Sequence, residues 1–202
     1  MVPIRLSTIE TAASDQNLTT VAYVKEDLGI TSLSEDSYLQ RMIAAASKEA
    51  STYCARIFVE ETIEDTFYIR QCVDKLTLSR FPVNDIVSVT VAGDAIASTL
   101  YRLDEDTGFL YRLDTDGDLC DWDAEITVVQ FTSGYATIPA DLETAVIDLI
   151  KARRSARTRD PSVRSERVPD VMEVTYWVSG PGEGHLPPNV RGVFDQYRVW
   201  RL

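Results

Sequence analysis

The sequence predicts an α+β fold: a small helical bundle around a long central helix, with an inserted antiparallel β-region and an extended C-terminal tail. Three features of the 202-residue chain predict it. From Ser34 to Phe58, Leu39, Met42, Ile43, Ala46, Ala50, Tyr53, Cys54 and Ile57 recur at the three- and four-residue steps that put side chains on one stripe of a helix. From Thr62 to Phe131 the period changes to alternation in short runs separated by turn residues, the mark of strands. After Pro139 the helical step returns. The divisions that follow are an N-terminal arm at 1–17, a helical core at 18–159 with the β-region inserted at about 60–132, and a C-terminal strand and tail at 160–202.

Met1 to Asn17 carries no clear period and is an arm ordered only where something holds it. Leu18, Val21, Val24, Lys25 and Leu28 trace a short helix that Gly29 ends in a left-handed cap. Ile30 to Leu33 is a brief link, so this helix and the long one pack as a hairpin. Ser34 is the expected N-cap of the long helix, with Leu33 and Tyr38 closing over it as a hydrophobic staple and Glu35 and Asp36 at the positive end of its dipole. Along its middle, Ala44, Ala45, Ala46, Ser47, Ala50 and Ser51 are small enough for another backbone to come close.

Strands are predicted at Thr62–Ile69, Lys75–Leu78, Ile86–Val91, Leu100–Leu103, Phe109–Leu113 and Glu125–Phe131. Turns fall at Pro82, Gly93-Asp94, Thr107-Gly108 and Asp116-Gly117, a spacing that favours hairpins over crossovers. Pro139 opens a second amphipathic helix, with Leu142, Ala145, Val146, Leu149 and Ile150 on the face that packs on the long one. It runs out into Arg153, Arg154, Arg157 and Arg159, cations suited to a helix's carboxyl end. Beyond it, Asp160 to Pro169 reads as a flexible link, Val171 to Val178 as one more strand and Ser179 to Pro188 as a Gly/Pro-rich loop. Val190, Val193, Phe194 and Tyr197 form a last short helix, followed by Trp200 and Leu202.

Charge is distributed unevenly. Of the net −12, Lys151 to Leu202 hold ten basic and six acidic residues, and Met1 to Ile150 hold ten basic and twenty-six acidic. Such an acidic body binds nucleic-acid backbone poorly, whereas Lys151 to Arg167, with seven cations against two acids, is either a contact for an acidic surface or phosphates or a solvated helix end. No run of eighteen apolar residues and no basic-then-apolar leader is present, which points to a soluble protein made inside the cell. Cys54, Cys72 and Cys120 lack metal or redox spacing and read as buried free thiols.

Motifs for chemistry are absent: no nucleophile elbow, phosphate-binding glycine loop, zinc spacing or metalloprotease helix occurs. The run from Asp114 to Asp123 looks like a calcium loop, but a loop beginning at Asp114 needs glycine where Leu119 stands, and its glycine is Gly117. It reads instead as a solvated acidic turn. His185, the single histidine, lies in the Gly/Pro loop away from any nucleophile motif. Catalytic residues, metal ligands and cofactors are therefore not expected. Tyr176, Trp177, Phe194, Tyr197 and Trp200, with nearby arginines, have the composition of an interface anchor or of a tail packed on its own domain.

Several short segments, in order, resemble the phage head-tail connector family, the adaptor or head-completion proteins of tailed bacteriophages. They are Asp27-Leu28-Gly29-Ile30; Tyr53-Cys54-Ala55-Arg56-Ile57-Phe58; Leu78-Ser79-Arg80-Phe81-Pro82-Val83 leading to Ile86-Val87-Ser88-Val89; Tyr101-Arg102-Leu103 with Gly108; and Phe131-Thr132-Ser133-Gly134-Tyr135 before Pro139-Ala140-Asp141-Leu142. The resemblance spans residues 18 to 178; the sheet region and the tail after Ser179 are longer than in a minimal member.

The resemblance implies a non-enzymatic virion protein, made in the host bacterial cytoplasm and placed in the neck. There an adaptor ring of about twelve copies joins the portal to the stopper or tail and lets double-stranded DNA pass without sequence-specific binding. Another neck or tail component, a stopper or tail-completion protein, is the alternative, followed by a DNA-binding packaging accessory. No membrane is involved. In such a ring the expected subunit contacts are Arg41, Ala45, Lys48, Thr52, Arg153 and Arg154, and the expected docking residues toward the portal or a neighbouring ring are Tyr176, Trp177, Phe194, Tyr197 and Trp200.

Overall fold

The computed structural model describes residues 3–105, 107–157, 165–168, 172–175 and 186–199. The chain divides into two units, Met1–Asp15 with Ile57–Thr137 and Gln16–Arg56 with Ile138–Leu202. With four helices and antiparallel sheets among the described residues, the class is α+β, as predicted.

The first unit is built of two antiparallel sheets. One has the order β1 (Ile4–Thr11), β2 (Glu61–Tyr68), β9 (Ile126–Ser133), β4 (Val83–Val91), β5 (Asp94–Ala95). The other has β3 (Lys75–Thr77), β7 (Phe109–Leu113), β6 (Tyr101–Asp104), with β8 (Leu119–Cys120) also on β7. Alternation decides what lies between them: Ile63 and Phe67 of β2, Val89 and Val91 of β4, and Val129 and Phe131 of β9 form one buried cluster with Leu76, Leu110 and Trp122. The Trp122 indole donates to the Leu110 carbonyl at 3.1 Å, so its one polar atom is satisfied.

The arm predicted at 1–17 contains a strand from Ile4 to Thr11, held by the ladder to β2 from Ile4↔Tyr68 to Thr11↔Thr62 with one irregularity after Ile9. All eight of its side chains are exposed, which is why no period marks it in the sequence.

The second unit packs α1 (Val21–Leu28), α2 (Asp36–Cys54), α3 (Ala140–Arg157) and α4 (Pro188–Tyr197). Leu39, Ile43, Ala46 and Ala50 of α2, Leu142, Val146, Leu149 and Ile150 of α3, and Val190 and Phe194 of α4 are buried. Helix α1 ends as predicted at Gly29 in the left-handed region (φ 64°), but it starts at Val21, capped by Thr20, whose hydroxyl accepts from the Tyr23 amide. Leu18 lies before it, buried, its amide donating to the Ser47 hydroxyl at 2.9 Å.

The predicted start of the long helix is corrected. Ser34 does not cap: its hydroxyl pairs with that of Ser32, Glu35 occupies the cap position with no side-chain bond to the helix's own amides, and Leu33 is exposed, so no staple closes. Lys25 of α1 instead reaches Asp36 at 2.9 Å and ties the two helices. The link predicted at Asp160–Pro169 contains β10 (Ser165–Val168), which pairs antiparallel with β11 (Met172–Thr175) inside the strand predicted at Val171–Val178.

Candidate functional site

In the first unit, two carboxylates inside the sandwich hold the segment that crosses from β3 to β4. Inward positions of β2 alternate Glu61, Ile63, Asp65, Phe67, and both acids are buried. Arg80 Nη1 donates to Glu61 Oε2, and Glu61 Oε1 accepts from the Ala13 amide at 3.3 Å. Asp65 Oδ2 accepts from the Ser79 amide at 2.6 Å. The Leu78 to Val83 segment quoted above is thus pinned from below, and Gly134 explains the quoted segment from Phe131 to Tyr135. At φ 118° it sits so close to Val59 that an added Cβ would lie 2.5 Å from the Val59 carbonyl oxygen. Only glycine lets Tyr135 reach the Phe58 carbonyl with its amide, at 2.6 Å. Sequence reading missed Glu61 and Asp65, although β2's alternation placed them on the same face as Phe67.

The outer face of the five-stranded sheet follows from register. Ile4, Tyr68 and Ile126 form one row, Leu6, Thr66 and Val128 the next, and Thr8, Glu64 and Gln130 a third. The other sheet carries a groove of about 600 Å³ lined by Arg102, Asp104, Tyr111, Leu113 and Leu119 among others. In the acidic turn before β8, Asp114 Oδ1 accepts from the amides of Asp116 and Asp118, both at 2.9 Å, and so serves the turn itself.

In the second unit, Arg41, Ala45, Lys48 and Thr52 share one exposed face of α2 with Ala44. The Thr52 hydroxyl donates to the Lys48 carbonyl at 2.8 Å. Three of the four described cations at the end of α3 turn to acids of their own unit: Lys151 to Asp27 and Asp148, Arg153 to Glu49, Arg154 to Glu35. Arg157 stacks over the Tyr38 ring at 4.9 Å. The bonded Arg154 guanidinium holds the Glu35 carboxyl below the usual range, and Asp27 raises Lys151.

Helix α4 is latched to the end of α2. Phe194 is buried, its ring 6.1 Å from that of Tyr53. The Tyr53 hydroxyl donates to Asp195 at 2.6 Å, and Cys54 Sγ–H to the Phe194 carbonyl at 3.4 Å. Burial pushes the Cys54 thiol up to about 12. The Tyr197 hydroxyl donates to the Asp141 carboxylate at 2.7 Å. Of the aromatic group, Phe194 and Tyr197 therefore pack on their own unit, the second of the two readings open for them; Tyr176, Trp177 and Trp200, like His185, lie outside the described residues. The three thiols are free, but Cys72 is exposed, against the expectation of burial.

No curated protein matches the chain. Among solved structures, its fold is similar to that of a chain in the neck of the empty GTA particle computed with C6 symmetry, at 19% identity and a TM-score of 0.58, over 98% of this chain and 97% of that one. It is also similar to a chain in the neck of the native GTA particle computed with C12 symmetry, at 18% identity and a TM-score of 0.57, with the same coverage of 98% and 97%. A third, from the virion of the native gene transfer agent (GTA) particle, is 17% identical with a TM-score of 0.56, covering 98% of this chain and 97% of its own. The family described as head completion protein matches residues 17–159, the run that holds α1 through α3 and all but the first strand of the sandwich, and the chain belongs to that family.

Proposed function

We propose that the chain is a structural protein of the phage neck: an adaptor subunit that repeats into a ring between the portal of a DNA-filled head and the stopper or tail, continues the DNA channel, and turns over no substrate. The observation that carries this reading is the family match, joined by a fold likeness that runs over 98% of this chain to chains from particle necks. A C12 neck symmetry in one such particle supports a ring of twelve.

Charge is consistent with the role. The sandwich unit holds eighteen acidic and six basic residues, so the whole net charge of −12 resides in it. A wall of that sign keeps phosphates from condensing on it as DNA slides past. Of the segment from Tyr176 to Leu202, helix α4 is latched to its own unit, and Tyr176, Trp177 and Trp200 are the residues proposed to dock on the portal or a neighbouring ring.

Electron microscopy of the purified chain, with and without portal-bearing heads, tests the proposal. Rings seated on the portal are expected, and the variant Tyr176→Ala/Trp177→Ala/Trp200→Ala, which keeps α4 and its latch to α2, is expected to fold as the unchanged chain does and to lose attachment. A chain that stays solitary beside portals, or a triple variant that joins heads as well as the unchanged chain, overturns the respective part.

A further inference from the structure

We propose that copies of this chain associate by laying the exposed face of α2 of one copy across the outer face of the five-stranded sheet of the next. The inference rests on the ring reading above and supplies its contact. On that sheet face Ile4, Leu6, Tyr68 and Ile126 are 52%, 57%, 39% and 49% exposed. They lie in two adjacent rows with Thr66 and Val128 and no charged side chain among them. An apolar surface across three strands is more than single scattered residues, and it sits on the unit that otherwise carries all the net charge.

Charge selects the occupant. Two sandwiches, each at −12, repel one another. The helical unit holds fourteen acids and fourteen cations and meets no such barrier. Lys151, Arg153 and Arg154 are taken by acids within it, whereas Arg41 and Lys48 face outward on α2 with no ion-pair partner among the described residues. Ala44 and Ala45 lie between these two cations, so the helix can approach a sheet closely while they reach past the apolar rows. Glu64, in the third row of the same sheet face and without an ion-pair partner among the described residues, is the acid placed to meet Lys48. Because the two surfaces differ, the contact is heterologous and generates a ring when its rotation closes.

The test is light scattering and electron microscopy of full-length chain mixed with purified portal, comparing the unchanged protein with Leu6→Lys, Lys48→Glu and the double variant Lys48→Glu/Glu64→Lys, each checked for folding by circular dichroism. Leu6→Lys and Lys48→Glu are each expected to weaken association about thirtyfold, and the double variant to recover to within about threefold of the unchanged chain. Rings that form undiminished in either single variant, or a charge swap that restores nothing, overturn this contact while leaving the ring reading in place. An unchanged chain that forms no ring on the portal overturns both.

Discussion

The two units of this chain use charge in opposite ways. The sandwich has three acids for every base, eighteen against six, yet hides two of its carboxylates between its sheets. The helical unit is balanced, fourteen against fourteen, and ties Lys151, Arg153 and Arg154 of α3 to acids of its own unit near the surface. Buried charges of the sandwich fix the path of a connecting segment at high cost if broken; surface pairs of the bundle contribute little each and are screened by salt. Stability should therefore be brittle in the first unit and graded in the second.

Arg80→Ala breaks this comparison most severely if it is wrong. The Glu61 side chain is 1% exposed and the Arg80 side chain 28%, so removing the guanidinium strands a buried carboxylate. A loss of about 3 kcal/mol is expected in urea unfolding. The double change Glu61→Met/Arg80→Met should recover most of it, since an apolar pair of similar volume needs no partner. Gly134→Ala comes next, at about 2–3 kcal/mol, because a Cβ there meets only backbone, the Val59 carbonyl and the Glu60 Cα, and nothing flexible can give way. A fall of less than half that size would mean the β2–β9 end of the sandwich relaxes readily.

How much of this was legible in the sequence differs between the units for the same physical reason. Helices α2 and α3 bury one stripe each, so Leu39, Ile43, Leu142 and Leu149 announced them, as did the β2, β4, β7 and β9 alternations. Strand β1 exposes both faces and gives no period, and β5 and β8 are two residues long. The end of α2 was hidden because Ala55, not glycine, takes the left-handed cap at φ 53°. Of the candidate contact residues, Arg41, Ala45, Lys48 and Thr52 are on one exposed face, as helical spacing requires. Arg153 and Arg154 were read from their place at the end of a helix, and Phe194 and Tyr197 from helical spacing and composition, and none of these says that Glu49, Glu35, Tyr53 and Asp141 stand opposite them.

The thiols sharpen the contrast between a buried latch and an open surface. Cys54 has its folded pKa above the unfolded one, so the folded chain keeps a proton that the unfolded chain releases above about pH 8.5. This contribution is whole below that pH and falls as pH rises toward 12, by up to about 1.4 kcal/mol per pH unit. Unfolding midpoints should drop across pH 9 to 11, and Cys54→Ala should flatten that stretch of the curve. At neutral pH an alkylating reagent should label Cys72, exposed in the sandwich unit, well before Cys54.

The smallest effects belong to the α2–α3 ion pairs, and their size is what separates graded from brittle. Arg153 and Glu49 are each about a third exposed, so Arg153→Ala should cost about 0.5–1 kcal/mol in dilute buffer and nearly nothing in 1 M salt, where charges are screened within a few ångströms. Arg154→Ala should cost less, and its sign with pH is fixed by Glu35. A carboxyl held below its usual range stabilises the fold above its unfolded pKa and loses that contribution as pH falls through the folded one, so the difference between Arg154→Ala and the unchanged chain should vanish in acid. If either substitution instead cost as much as Arg80→Ala, and salt did not erase the loss, the bundle's charges would be doing what the sandwich's buried pair does, and the distinction between the two units would have to be given up.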